Sequence, residues 1–338
     1  MKKTISLLLA LVMVLALCSC GARTETPAEE PAPAAEFPAP ESGALVVDTC
    51  ILKEADDAMI NTYTLLAVNP EAPFVDADGK AVTDVELNTI GAAALINWLL
   101  SEEGESLAAN YGFEEYGEYL FYLKDDRPVS TAEIPSATDE TKLIRLATTT
   151  SVNDSGLLNY LLPKFTEKYG YEVDVYSAGT KKAIASAKMG NADLVLVHAK
   201  AQEEAFVADG FAYVLDGMQA ERMTYMYNYF VLCGPSADPA GVKSAADVKA
   251  AFKAIADGKF TFISRGDGSG THTKEISLWP EELGITAEAE SFKDYTDWYI
   301  SANTGMGACL VMAEEMGAYI LTDKATFLTF VANDGVMG

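Results

Sequence analysis

Apolar positions along this chain fall into blocks with two periods, and the blocks alternate. Short runs rich in β-branched and aromatic residues predict strands at 44–47, 63–68, 143–147, 172–176, 193–198, 229–233 and 260–264. Blocks with apolar residues three and four apart predict helices at 85–100, 103–110, 156–169, 181–189, 202–209, 245–256 and 271–278. In the third of these, Leu157, Leu158, Leu161, Leu162 and Phe165 share one face. The polar Ser/Thr/Pro stretch 128–140 reads as a linker. Strands alternating with helices at this spacing imply parallel sheets covered by helices, an α/β architecture. Ligands in such folds bind where strands end and helices begin, so those loops are the places to look for chemistry.

The start of the chain follows a different pattern. Lys2 and Lys3 precede an apolar run over 5–17 that only Ser6 interrupts. The run is too short for a membrane-spanning helix and reads as a signal peptide covering 1–19. It ends in Leu17-Cys18-Ser19-Cys20-Gly21, which resembles the lipobox of bacterial lipoproteins. Cleavage there leaves Cys20 as an acylated N-terminus; the alternative is plain secretion with cleavage near Ser19. Residues 20–43, with Pro27, Pro31, Pro33, Pro38 and Pro40 among Ala and Glu, read as an extended acidic tether. The folded part is therefore expected from about Ala44, outside the cytoplasm and held to the membrane by a lipid.

Charge narrows the range of partners. With 24 Lys+Arg against 50 Asp+Glu the formal net charge is −26. Nucleic acid and anionic headgroups both need a basic footprint, so neither is expected as a partner. A single pocket holding a small anion is not excluded, because net charge describes the whole surface. Hydrophobic residues make up 49% of the chain, enough for a sizeable core in 338 residues. Cys50, Cys233 and Cys309 sit in apolar runs without a CxxC, so buried free thiols are expected. His198 and His272 are far apart in sequence and form no metal-ligand pattern; no metal and no cofactor are expected.

Two predicted strand–helix loops are built for an oxyanion. The first runs from Ala147 to Gly156 and carries four consecutive hydroxyls, Thr148, Thr149, Thr150 and Ser151. Helix capping by Asp154 or Ser155 needs only one such residue, so capping does not explain all four. The second is Ser264-Arg265-Gly266-Asp267-Gly268-Ser269-Gly270-Thr271-His272. Its glycines permit tight turning and close approach, Ser269 and Thr271 add hydroxyls, and Arg265 offers planar cationic donors. Its alternative reading is a Gly-rich turn with a surface Arg–Asp pair. Ser177-Ala178-Gly179-Thr180 forms a third candidate loop after a strand. His272 has no placed partner, and no nucleophile–base pair stands out, so turnover is not expected.

The runs LIRLATTTSVNDSGLLNYLLPKF, NADLVLVHAK, MYNYFVLCGPSADPAG, FISRGDGSGTH and WYISANTGMGACLVMAEEMGAYILTDKATFL resemble the tungstate-binding proteins of ABC transporters. The likeness covers nearly all of 143–330. It implies a two-lobed type II periplasmic-binding-protein fold, with a mostly parallel sheet in each lobe and a hinge between them. It also implies a ligand set of Thr149, Thr150 and Ser151 with Arg265 and Thr271, helped by Ser269 and Gly270. Where the family often reads GTGQAL, this chain has Gly179-Thr180-Lys181-Lys182-Ala183-Ile184, so Thr180 is the candidate of a divergent loop.

Family members usually continue past the TDxxTFL region into two segments that appear here near the start, as NTYTLLAVNPE (61–71) and LINWLLSEEGE (95–105). This order implies a circular permutation. Residues 44–126 then complete the fold that 143–338 begins, and 127–142 join the old termini; the alternative is a separate, duplicated N-terminal domain. The implied function is capture of tungstate for a membrane permease, by a monomer. Molybdate and phosphate are rival ligands, and an extracytoplasmic oxyanion sensor is the rival role.

Overall fold

The computed structural model describes residues 47–336. The expected signal peptide, Cys20 and the tether lie outside the described residues. The strands are β1 (Thr49–Lys53), β2 (Ile60–Ala67), β3 (Tyr122–Leu123), β4 (Leu143–Thr149), β5 (Glu172–Ala178), β6 (Leu194–Val197), β7 (Met223–Pro235), β8 (Phe262–Ser264), β9 (Tyr299–Ser301) and β10 (Tyr319–Asp323). The helices are α1 (Thr89–Leu99), α2 (Glu102–Asn110), α3 (Phe113–Tyr116), α4 (Thr150–Asp154), α5 (Leu157–Tyr169), α6 (Thr180–Lys188), α7 (Lys200–Ala208), α8 (Val248–Gly258), α9 (Gly270–Ile276), α10 (Met306–Met316) and α11 (Lys324–Ala332).

Strands buried on both faces explain the continuous apolar runs. In β6, Leu194 and Leu196 join one hydrophobic cluster and Val195 and Val197 another. In β10, Tyr319 and Leu321 join a third cluster while Ile320 joins a fourth. Each half of the molecule is thus a sheet with a core on either face.

Strand order runs β5-β4-β6-β2-β7-β10-β8-β9. The first lobe contains the parallel set β5, β4 and β6, and the second the parallel set β10, β8 and β9. Between them β2 and β7 run antiparallel to their neighbours. β7 is thirteen residues long and serves both lobes: Met223–Tyr229 pair with β2, and Phe230–Cys233 pair with β10. This is the two-lobed periplasmic-binding-protein architecture, with the sheets mixed rather than wholly parallel at the crossing.

Residues 47–126 build no core of their own. β2 lies between β6 and β7, β1 pairs with the second-lobe end of β7, and Leu95, Trp98 and Leu99 of α1 share a cluster with Leu146 and Leu161. At the other end of the chain, a Cβ on Gly335 would lie 3.3 Å from Val47.

Several boundaries differ from expectation for identifiable reasons. The helix expected from Val85 begins at Thr89, because the Asn88 side chain accepts the Gly91 N–H at 2.8 Å and donates to the Thr141 and Leu143 carbonyls. The strand expected over 229–233 extends back to Met223. The expected first strand falls mostly outside the described residues, and pairing begins at Thr49. Residues 128–140 contain no regular helix or strand.

Candidate functional site

The expected loops sit at the carboxyl ends of β4, β5 and β8, where the two lobes face each other. The first is tighter than a loop. β4 runs to Thr149, and Thr150 to Asp154 already form α4. In the third, Gly179 precedes α6 and Thr180 is its first residue. In the second, Ser269 caps α9, its hydroxyl accepting the His272 N–H at 3.2 Å. The first N–H groups of such helices have no intrahelical acceptor, and they carry the positive end of the helix dipole.

Three contacts join the lobes here. Arg265 Nη1 donates to Thr150 Oγ1 at 3.1 Å. A Cβ on Gly179 would lie 3.5 Å from the Ser269 Cα. A Cβ on Gly270 would lie 2.3 Å from Cε1 of His198, so α9 reaches the His198 ring only because residue 270 has no side chain. Gly266 is required for backbone conformation, with φ at +64°, and also for space, since a Cβ there would lie 2.0 Å from Ser301 Oγ.

Three buried hydroxyls adjoin these contacts, one each: Thr149 Oγ1, Thr180 Oγ1 and Thr271 Oγ1. None has a hydrogen-bond partner in the protein. Buried polar groups are almost always paired, so three orphan hydroxyls at one interface are available to donate to a bound acceptor. Ser151 Oγ lies 3.3 Å from His198 Nε2. Every ligand residue expected from the sequence therefore lies at this interface: Thr149, Thr150, Ser151, Thr180, Arg265, Ser269, Gly270 and Thr271.

Arg265 supplies the charge and is 3% exposed. Its Nε donates to the Thr304 carbonyl at 3.4 Å, and its Nη2 pairs with Asp267 Oδ2 at 2.6 Å. The other Asp267 oxygen accepts the Ser269 N–H at 3.0 Å, so both are engaged. This is a buried interlobe group and not a surface Arg–Asp pair.

His198 was not legible as part of this set. It directly follows β6, and its position at a strand end was the available signal. Its ring packs between Tyr63 of β2, with centroids 5.3 Å apart, and Phe230 of β7, at 6.3 Å. Burial, reinforced by the Arg265 charge, pushes its pKa down to about 3, so the ring is neutral. His272 is also pushed down, chiefly by burial. Its Nδ1 accepts the Gly268 N–H at 3.0 Å, which assigns the neutral ring's proton to Nε2, another buried group without a partner. The arrangement offers one cation, paired with the Asp267 carboxylate, and many neutral donors. Among the described residues no group of three or more His, Cys, Asp or Glu side chains is placed to hold a metal ion. Cys233 and Cys309 are buried free thiols as expected, and Cys50 is half-buried.

Known proteins resemble this chain over a little more than half its length. A tungstate-binding protein of Peptoclostridium acidaminophilum is 50% identical over 195 residues, 57% of this chain and 63% of that protein. A putative ABC transporter anion-binding protein of Haloferax volcanii is 42% identical over 57% of this chain and 52% of its own length. The chain thus spans less than two thirds of either relative. A crystal structure described as the tungstate ABC transporter from Geobacter sulfurreducens is 43% identical, covering 56% of this chain and 75% of that one, with a TM-score of 0.46. Residues 134–337 match the PBP superfamily domain, and the chain belongs to that family of solute-binding proteins.

Proposed function

We propose that this protein captures tungstate between its lobes and delivers it to an ABC permease, without chemical turnover. The observation that carries this reading is the set of three partnerless buried hydroxyls around one buried arginine. Thr149, Thr150, Ser151, Thr180 and Thr271 donate through their hydroxyls, and Arg265 supplies the cation. Ser269 and Gly270 help through hydroxyl and N–H groups. A site of one arginine and many hydroxyl donors favours a fully deprotonated tetrahedral dianion. Monohydrogen phosphate carries a proton that needs an acceptor, and Asp267, whose oxygens already accept from Arg265 and Ser269, is partly committed elsewhere. Molybdate has the same charge and nearly the same shape, so it competes. The matched relative of Peptoclostridium acidaminophilum, named as tungstate-binding, supports the same choice. Calorimetric titration with tungstate, molybdate, phosphate and sulfate tests it: tungstate binds far more tightly than phosphate, and the reverse order refutes the proposal.

The motif at Cys20 supports attachment of the protein to the outer face of the cell membrane by an acylated cysteine. Replacing Cys20 by Ser then abolishes lipid labelling; unchanged labelling refutes it. Residues 44–126 read as a circularly permuted part of the binding fold. Supporting this, 47–126 share the sheet and core of the following residues although the family match starts at residue 134. The approach of Gly335 to Val47, each a few residues from an end to be joined, also supports it. A chain reordered to begin at 143, run to 338 and continue into 44–126 therefore folds and binds; failure to fold refutes the permutation.

A further inference from the structure

Glu275 lies in α9 beneath the anion site and is 2% exposed. Its carboxylate collects three donors from three places. Ser264 Oγ donates to Oε2 at 2.5 Å, while Trp279 Nε1 and Tyr299 OH each donate to Oε1 at 2.8 Å. Ser264 is the last residue of β8 and directly precedes Arg265; Tyr299 opens β9. The Ser264 carbonyl accepts the Ala302 N–H, and the Arg265 carbonyl accepts the Thr304 N–H. One side chain thus joins α9, the end of β8 and the start of β9. An apolar residue in its place would leave three buried donors unmatched.

We infer that Glu275 is a positioning residue of the anion site: it ties the strand end bearing Arg265 to the helix presenting Gly270 and Thr271, and its protonation is linked to occupancy of the site. This rests on the oxyanion reading given above. Burial pushes its carboxyl up to about 7, the three donors pull it back, and the Asp267 charge adds to the rise. The titratable and charged groups on its own helix are His272 and Lys274; the neighbouring elements carry Arg265 and Asp267 on the loop after β8, Tyr299 of β9, Cys309 of α10, and Tyr319 and Asp323 of β10, the strand against which α9 packs. Lys274 is tied to the Ala58 carbonyl at 2.9 Å. The Tyr299 and Cys309 groups are pushed up by burial and stay neutral near pH 7. An arriving dianion therefore raises the proton affinity of Glu275, and the complex takes up a proton that the empty site lacks.

The test measures tungstate affinity calorimetrically at about pH 6.5 and about pH 8 for the wild type, Glu275→Gln and Ser264→Ala. In the wild type the dissociation constant rises with pH, by at most about tenfold per pH unit for a single linked proton. Glu275→Gln keeps acceptors for Trp279 and Tyr299 and can donate to Ser264, so it binds well but with a flat profile. Ser264→Ala cuts only the tie to the Arg265 strand and weakens binding about tenfold, the value of one hydrogen bond to a charged group. A wild-type slope retained by Glu275→Gln, a flat wild-type profile, or full affinity in Ser264→Ala overturns the inference. Should Glu275→Gln fail to fold, the wild-type profile and Ser264→Ala decide. A wild type that binds no oxyanion at all instead overturns the reading of the site itself.

Discussion

Replacing Gly270 by alanine tests whether lobe closure depends on the seat of α9 against His198. The new Cβ would stand 2.3 Å from Cε1 and 2.4 Å from Nδ1 of the ring. Carbon atoms normally meet at about 3.5–4.0 Å, so the shortfall exceeds about 1 Å. The ring has little room to withdraw, because Tyr63 and Phe230 of the crossing strands flank it and it is 8% exposed. Gly270 does not have positive φ, so alanine is acceptable to its own backbone. The strain therefore falls on the closed arrangement and not on the folding of either lobe. Overpacking of this kind costs about 1–3 kcal/mol. If the lobes relieve it by parting, the 3.1 Å Arg265–Thr150 contact is lost with it. Tungstate affinity then falls by roughly 5- to 150-fold, while far-UV dichroism and cooperative unfolding persist. Adding His198→Ala removes the obstacle, and titration of the double variant shows part of the affinity restored. Gly270→Ala binding within twofold of wild type refutes the argument, and so does a double variant no better than the single one.

Arg265→Ala removes the site's cation and leaves Asp267 without its partner, so affinity drops by about 2–5 kcal/mol; unchanged binding in a titration means the loop does not hold the ligand. Thr180→Val deletes a hydroxyl that makes no bond in the unliganded protein, so thermal stability without ligand is kept while binding weakens by about 1 kcal/mol. A parallel loss of stability contradicts that assignment. Asp323, fully buried at the start of α11, is pushed up to about 6, chiefly by burial and against the pull of Thr326. Its folded-state pKa lies above the unfolded value, so the native state binds the extra proton and stability declines as pH rises from about 4 to about 6. Urea midpoints across that range fall less in Asp323→Asn; an identical slope refutes the assignment.

Local pattern made much of the fold legible, and the limits have physical causes. Strand–helix alternation found β4 through α7 because each buried strand is a compact apolar run and each helix has a clear stripe. It missed the first half of β7, where Thr224, Tyr227 and Asn228 break the apolar run, Asn228 being buried against Asn61 and Tyr63 of β2. The elements after Leu278 were not delimited, since α10 and α11 are apolar around much of their circumference and show little periodicity. The ligand hydroxyls stood out because capping does not explain four in a row. Gly270 is needed for close approach and not for a turn: it provides room for a ring 72 positions away. His198 and Glu275 escaped for a related reason. Their partners come from other strands, and local spacing carries no trace of a carboxylate that meets Ser264, Trp279 and Tyr299 together.

The sharing of β7 between the lobes bears on how the molecule comes apart. Its first half completes one sheet beside β2 and its second half completes the other beside β10. Melting either lobe strips the other of an interior strand and exposes unpaired peptide groups along it. The two lobes therefore lose structure together, in one calorimetric transition whose van't Hoff and measured enthalpies agree. Lobe opening, by contrast, needs only a change of twist where the strand passes from one sheet to the other and a flexing of residues 54–59 between β1 and β2, so a cleft that opens this way can belong to a molecule indivisible when heated.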